Sequence, residues 1–182
     1  MSGRRLALAA AAFALPAAAQ APAAAPGPAE GAAAEAVVVA GPRYEASGLR
    51  RWLMGERYRD LWTTPVRVPV LDLRTFAGGL TPLRRGGNVQ TLALRFRGAD
   101  GREYNFRSVD KELTPALPEW ARETLLDDLR QDVTRAQHPA GPVVARALQD
   151  AAGVLNPGPR LVAMPDDPAL GEVRADFAGL LG

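Results

Sequence analysis

The sequence predicts an α+β domain in which helices pack against a mostly antiparallel sheet. Two segments near the middle of the chain alternate apolar and polar residues and are joined by a glycine turn, which is typical of a β-hairpin. Segments before and after them carry apolar residues at helical spacing. Of the 182 residues, 47% are hydrophobic and 23% are charged, so the chain is long and apolar enough to form a core. The predicted order is helix, three strands, two helices and two strands.

The first helix is predicted to begin at the N-cap residue Ser47 and to end at Thr64, which precedes a proline. Its apolar residues fall on one side of the helix: Leu49, Trp52, Leu53, Leu61 and Trp62. Its other faces carry four arginines: Arg50, Arg51, Arg57 and Arg59. Such a set fits either an anionic surface or phosphate partner, or a solvated helix face whose tryptophans anchor the core. We favour the second interpretation.

Three strands are predicted next. The first runs from Val66 to Phe76 and is interrupted by Pro69, which indicates an edge or bulged strand. A glycine-bearing loop over residues 78–88 follows it. The other two strands form the hairpin: Leu92, Leu94 and Phe96 share one face, the turn spans residues 98–101, and the returning strand alternates from Tyr104 onward. One face of this hairpin is expected in the core and the other in solvent.

The second half of the chain is predicted to begin with a helix from Pro118 to Gln137, because proline suits the first helical turn. A second helix spans residues 141–152 and ends at Gly153. Residues 160–164 and 169–173 are predicted as two strands separated by a turn that contains Asp166 and Asp167.

The start of the chain predicts export. Arg4 and Arg5 precede an apolar run and then small residues, which is the pattern of a signal peptide over residues 1–19. Residues 20–42 are rich in Ala and Pro and are predicted to be a flexible tether. Residues 43–182 are predicted to form a single α+β module, and its apolar C-terminal end either packs back onto the module or marks a truncation. No transmembrane segment is expected in the mature chain.

Composition excludes several functions. Cysteine is absent and histidine occurs once, so disulfide scaffolds, thiol nucleophiles and Cys/His zinc sites are excluded, and we expect no metal and no cofactor. Loss of the signal peptide removes two arginines and brings the 22 basic residues down to the number of acidic ones, 20. A formally neutral mature chain argues against a nucleic-acid partner.

No complete catalytic motif is present, so the enzyme question stays open and a non-enzymatic role is favoured. Ser47 and Ser108 lie outside a nucleophile elbow, and His138 stands beside a proline, which argues against a catalytic triad. Asp166 and Asp167 are typical of a solvated turn and are weak candidates for a metal site. A pair of glycosidase carboxylates stays open, because the sequence does not determine which two of the acids approach each other in space.

Lys111 is the one lysine among the 22 basic residues, and it closes the third predicted strand on its solvent face, where Arg107 and Val109 also lie. A compact ammonium serves chemistry that a guanidinium does not. The order of strand, glycine loop, hairpin, lysine and helix resembles the small lobe of protein-kinase-like folds. The resemblance implies that Lys111, with Gly86 and Gly87 of the loop, binds phosphate or nucleotide and pairs with an acid on the following helix. The candidate acids are Asp132 and Glu123. The His-Arg-Asp and Asp-Phe-Gly motifs of kinases do not occur in the sequence.

A second resemblance rests on longer strings. They are Tyr58–Val66, Val68–Leu73, Phe76–Pro82, Gly101–Tyr104, Phe106–Lys111, Met164–Pro168 and Leu170–Glu172. These strings resemble a region of large exported bacterial envelope proteins, which join it to a calcineurin-like metallophosphoesterase, to an outer-membrane β-barrel portion, or to both. The resemblance implies a fragment of such a protein, with the remainder of the larger chain or another envelope protein as partner.

These observations predict an exported binding or scaffold module, located in the periplasm or associated with the outer membrane. The alternative is a kinase-like small lobe that binds phosphate or nucleotide through Lys111. Substrate, partner identity and oligomeric state do not follow from the sequence.

Overall fold

The computed structural model describes residues 34–86, 90–111 and 131–182, and it confirms the α+β class with antiparallel sheets. The strands are β1 (Glu35–Val38), β2 (Val66–Pro69), β3 (Leu80–Gly86), β4 (Ala93–Gly98) and β5 (Glu103–Arg107). The α-helices are α1 (Gly48–Met54), α2 (Arg59–Thr63), α3 (Gly141–Ala151) and α4 (Arg174–Phe177). Short 3-10 helices occupy Pro42–Tyr44, Phe76–Gly78, Thr134–Ala136 and Pro168–Val173.

Two antiparallel sheets carry the fold. β1 pairs with β2, and β3, β4 and β5 form a meander in that order. The predicted hairpin is confirmed: β4 and β5 alternate, with Leu94, Phe96 and Phe106 buried on one face and Arg95 and Arg97 exposed on the other. Period-two alternation therefore sets the register of this hairpin, because a slip by one residue would expose all three apolar side chains.

The last residues of the chain link the two sheets. The amide of Ala163 donates to the Pro69 carbonyl and its carbonyl accepts from Leu71, each at 2.9 Å, which extends the β1–β2 sheet. Residues 162–164 in turn bond to residues 179–182, and the Leu181 carbonyl accepts from the amide of Val109 at 2.9 Å, just past β5. The apolar end predicted from the sequence thus packs back into the fold, with Phe177 and Leu181 buried.

The buried apolar side chains form two clusters. The first lies on the three-stranded sheet and is made of Leu71, Leu73, Ala77, Leu80, Leu94, Phe96, Phe106, Met164, Leu170 and Phe177. The second lies against β1 and β2 and is made of Ala40, Tyr44, Trp62, Val68, Ala163 and Leu181. Ala163 and Met164 are neighbours in sequence but belong to different clusters, so the segment that joins the sheets also separates their cores.

The predicted helix from Ser47 to Thr64 is two helices. Gly55 has φ 83° and Tyr58 has φ 57°, and left-handed residues do not continue a right-handed helix. The change of direction separates the two tryptophans. Trp62 of α2 is buried with 1% exposure, whereas Trp52 of α1 is 80% exposed, so the prediction that both anchor the core is wrong for Trp52.

Other predicted elements also shift. β1 lies inside the 20–42 range predicted as a tether, because its valines pair with β2, and the ordered module therefore begins before residue 43. Residues 80–86 of the predicted glycine loop are β3, paired with β4. α3 is confirmed, and it ends before Gly153, which has φ 66°.

The two strands predicted last are not formed. Residues 160–164 pair only through bridges at Ala163. The strand predicted over residues 169–173 is wrong, because Pro168 starts a 3-10 helix there and Gly171 takes φ 58°. Most of the helix predicted from Pro118 to Gln137 lies outside the described residues; residues 131–133 are helical. None of the helices in the described ranges is both long and apolar enough to cross a membrane.

The linking role of Leu181 gives a stability prediction. Replacing Leu181 with Ala should lower the free energy of unfolding by about 2–5 kcal/mol, because it leaves a cavity where the two sheets meet. The matched control is Leu155→Ala, since Leu155 is 83% exposed and its loss should cost no more than about 0.5 kcal/mol. Urea denaturation of both variants measures the difference, and equal midpoints would contradict the linking role.

Candidate functional site

Lys111 lies at a junction between the end of β5 and residues 131–137. Its Nζ donates to the side-chain oxygen of Gln137 at 2.5 Å, and its backbone carbonyl accepts from Nε2 of Gln131 at 2.5 Å. Its backbone amide donates to Oδ1 of Asp110 at 2.8 Å. The lysine therefore ties the end of the hairpin to the following segment, and its side chain meets an amide where the sequence predicted a carboxylate.

The Asp110 carboxylate completes this junction. The Tyr44 hydroxyl donates to its Oδ1 at 2.9 Å, and Arg43 forms an ion pair with Oδ2 at 2.7 Å. The Tyr44 hydroxyl also accepts from Nε2 of Gln131 at 2.8 Å. Burial, followed by the nearby Asp110 charge, raises the pKa of Tyr44 well above its ordinary value. The phenol therefore stays protonated and acts as a structural donor.

Asp132 does not serve Lys111. Its two oxygens accept from Nη1 and Nη2 of Arg59 at 3.0 and 3.1 Å, and Oδ2 also accepts from Nε of Arg135 at 2.8 Å. Both Arg59 and Asp132 are buried, and the exposed side chain of Arg50 adds an ion pair at 3.5 Å. The pairing predicted between Lys111 and Asp132 is thus replaced by a paired guanidinium, because the planar fork of Arg59 matches a carboxylate at two points.

The electrostatics of this buried cluster favour the charged carboxylate. Burial by itself would raise the pKa of Asp132, but the hydrogen bonds from Arg59 and Arg135 outweigh it and hold that pKa below its ordinary value. The two arginines also reach the backbone: Nη1 of Arg59 donates to the Tyr44 carbonyl at 2.5 Å, and Nη1 of Arg135 donates to the Arg57 carbonyl at 3.0 Å. The cluster therefore has a structural role: it holds the backbone near Tyr44 and Arg57 against residues 132–135.

Of the two glycines predicted to bind phosphate, only Gly86 lies among the described residues. Gly86 is the last residue of β3 and pairs with Ala93 of β4, so it belongs to the sheet. Gly87 and Glu123 lie outside the described residues. Phosphate or nucleotide binding at Lys111 therefore stays a prediction.

The weaker candidates have structural roles. Asp166 bonds to Nε of Arg174 at 2.5 Å, and Asp167 caps the 3-10 helix by accepting from the Ala169 amide at 2.8 Å. Nδ1 of His138 accepts from the Ala140 amide at 3.1 Å. The Ser108 hydroxyl donates to the Asp110 carbonyl at 2.9 Å. Within residues 34–86, 90–111 and 131–182, no group of three or more acidic or histidine side chains is placed to hold a metal ion.

A surface that the sequence interpretation missed lies on α1. We define the α1 face as Leu49, Trp52 and Leu53, which share one side of the helix at spacings of three and four residues. They are 76%, 80% and 68% exposed, and α1 has no buried residue. The residue that could have indicated this surface is Gly55. It ends α1, so the apolar side of α1 does not continue into α2.

Comparison with known proteins finds no matching family model, no similar curated protein and no similar solved structure.

The buried cluster gives a second stability prediction. Asp132→Asn should lower the free energy of unfolding by about 3–5 kcal/mol, because it leaves buried guanidinium groups without a counter-charge. Asp150→Asn is the matched control: Asp150 forms an exposed pair with Arg146, and its loss should cost no more than about 0.5 kcal/mol. Urea denaturation at neutral pH tests this, and equal losses in the two variants would contradict a structural role for Asp132.

The lowered pKa of Asp132 also predicts an acid dependence. In the unfolded chain the carboxyl takes up its proton near pH 4, before the folded form does, so the stability it contributes is present above about pH 4 and is lost as the pH falls through the folded pKa. The free energy of unfolding of the native chain should therefore fall more steeply below pH 4 than that of Asp132→Asn. Parallel slopes in denaturation at a series of acidic pH values would contradict this.

Proposed function

We propose that this chain is an exported binding module of the bacterial envelope and that the α1 face is its docking surface. The observation that carries the proposal is the exposure of Leu49, Trp52 and Leu53 on a helix with no buried residue. Within the described part of the chain, folding gives no reason for three large apolar side chains at these positions, because they contribute little to either core. Binding does give one, since a docking surface needs apolar side chains that the isolated chain leaves in water.

The framework behind the α1 face supports the same proposal. The last residue of α1 and the residues after it are bonded to the cluster around Asp132. Arg135 donates to the carbonyl groups of Met54 and Arg57, and Arg59 donates to the Gly55 carbonyl at 3.3 Å. These hydrogen bonds to backbone carbonyl groups hold α1 in one orientation, so the α1 face is already formed before a partner binds. Preorganisation of this kind lowers the entropy cost of binding.

Export is supported by the sequence alone, through the signal-peptide pattern of residues 1–19. The resemblance to a region of large envelope proteins supports the same location and suggests a scaffold role beside other envelope components. An enzymatic role has less support, because the candidate residues that the structure describes, Asp132, Asp167 and His138, are engaged in an ion pair, a helix cap and a turn.

Cell fractionation tests the proposal. When the full chain is expressed in a Gram-negative cell, we expect mass spectrometry to find a mature protein that begins at Gln20 and sediments with the envelope. Trp52→Ser combined with Leu53→Ser should release the protein into the soluble periplasmic fraction. The matched control combines Leu148→Ser with Leu155→Ser, two exposed leucines on and just after α3, and should stay with the envelope.

Two outcomes would overturn this function. One is an intact N-terminus on protein that is retained in the cytosol. The other is hydrolysis of ATP or a phosphomonoester by the purified chain at a rate that Lys111→Ala abolishes, which would favour the kinase-like alternative.

A further inference from the structure

We propose that the α1 face docks on an anionic phospholipid surface, so that the module is held peripherally on a membrane. The inference rests on the proposed function and deepens it, because it names the partner of that same surface. It follows from the chemistry of the exposed side chains, the size of the face, the charge around it and the way α1 is held.

The side chains of the α1 face suit the boundary between lipid headgroups and acyl chains. The Trp52 indole has a large apolar body and one N–H donor, and tryptophan is enriched at this depth in membrane proteins. Leu49 and Leu53 flank it on the same side of the helix. A short helix that places Trp and Leu on one side and arginines on the others has the pattern of a segment that lies in the membrane interface.

The size of the face favours lipid over a folded protein partner. Three side chains offer on the order of 500 Å² of apolar surface, whereas a stable protein interface buries roughly 800 Å² on each partner. Tyr58 and Leu61 extend the apolar surface only slightly, since each is less than half exposed. A lipid surface needs no such area, because each side chain enters the bilayer independently of a matching pocket.

The charge around α1 is complementary to anionic headgroups. The segment from Gly48 to Thr63 contains four arginines and two acids, Glu56 and Asp60. Arg59 is committed to the buried cluster, Arg50 pairs with Asp132, and Arg51 pairs with Glu56 and Asp60 at 3.3 and 3.4 Å. Four arginines against two acids still leave the segment with a net charge of +2, and Arg50 and Arg51 keep 37% and 40% of their side-chain surface exposed. Arg57 belongs to the turn after α1 and is exposed. Its guanidinium carbon lies over the Tyr58 ring, 6.0 Å from the ring centroid. Basic side chains next to an anionic membrane strengthen its binding.

The attachment of α1 leaves its apolar side free to enter a membrane. Its C-terminal end is bonded through the Met54 and Gly55 carbonyl groups, and Arg50 points back to Asp132. The helix is thus held at its C-terminal end and through Arg50, and none of these contacts uses the α1 face. A helix held in this way can insert its apolar side chains without disturbing either core.

The face of α3 provides an internal comparison. Val144 and Leu148 are also exposed there, at 50% and 68%. Its neighbouring charges, Arg146 and Asp150, form an ion pair with each other, and the helix contains no aromatic residue. This face therefore has exposed apolar surface without a tryptophan and without a net positive charge, and it is the control for membrane binding.

Vesicle binding by the purified full chain tests the inference. We expect it to sediment with vesicles of phosphatidylglycerol and phosphatidylethanolamine, less with vesicles of phosphatidylcholine alone, and less again in high salt. Trp52→Ser combined with Leu53→Ser should weaken binding at least tenfold, and Leu49→Ser should weaken it by a smaller factor. Arg57→Gln should weaken binding about fivefold on the anionic vesicles only. The α3 double variant, Leu148→Ser with Leu155→Ser, should bind as the native chain does.

Fluorescence gives an independent readout. The emission of Trp52, obtained as the difference between the native chain and Trp52→Phe, should be that of a water-exposed indole in the free chain and should shift to shorter wavelength with anionic vesicles. A shielded Trp52 in the free chain would overturn the inference, because the face would then be covered by the chain itself or by a second copy. Light scattering distinguishes those two cases.

The remaining outcomes separate the inference from the proposed function. If the α1 variants release the protein from the envelope in cells but native chain binds no vesicles, the partner is a protein, the lipid inference falls and the proposed function stands. If the native chain neither binds vesicles nor associates with the envelope, both fall. Equal loss of vesicle binding in the α1 and α3 variants would also overturn the lipid inference, because binding would then be non-specific.

Discussion

The bidentate pair between Arg59 and Asp132 holds together parts of the chain that are far apart in sequence. Its two side chains are fully buried, and a charge in that position is tolerated only when an opposite charge lies beside it. Arg59 also reaches the Tyr44 backbone, and Arg135 reaches the residues after α1. The positions of α1, of α2 and of the Tyr44 backbone therefore all depend on one carboxylate.

This constraint explains why Trp62 is buried where it is. Its indole N–H donates to the Gln137 carbonyl at 2.8 Å and to the Arg135 carbonyl at 3.1 Å, and its ring meets Tyr44 edge to face with centroids 4.9 Å apart. These partners come from the segments that the ion pair brings together. Trp62 thus closes the second apolar cluster while Trp52, ten residues earlier, is left outside it.

The sequence predicts the hairpin well and the helices less well, for a physical reason. The alternation of Leu94, Phe96 and Phe106 reports burial directly, because one face of a strand is in the core and the other in solvent. The helical spacing of Leu49 and Trp52 indicates only that they lie on the same side of a helix. It does not indicate whether that side packs against the core or faces away from it. Tyr58 also has a left-handed backbone conformation, and because it is not a glycine, the sequence did not indicate a turn at this position.

The candidate site was harder to predict because it depends on choices between similar residues. Many arginines are available to Asp132, and the sequence gives no sign that Arg59 enters the core while its neighbours stay in solvent. The rarity of Lys111 drew attention to a real junction, yet its partners Gln131 and Gln137 are amides, which no charge pattern reveals. Pairings of this kind follow from the packing of backbone segments that are distant in sequence.

The bond between Val109 and Leu181 has a consequence for the order in which the protein folds. The hairpin of β4 and β5 closes over a few residues, whereas the join between the sheets waits for a segment far along the chain, and such distant contacts form slowly. A chain of this topology stays unjoined while it is being made. Under the export proposed above, such a delay would leave the two sheets unjoined while the polypeptide passes through a translocation channel.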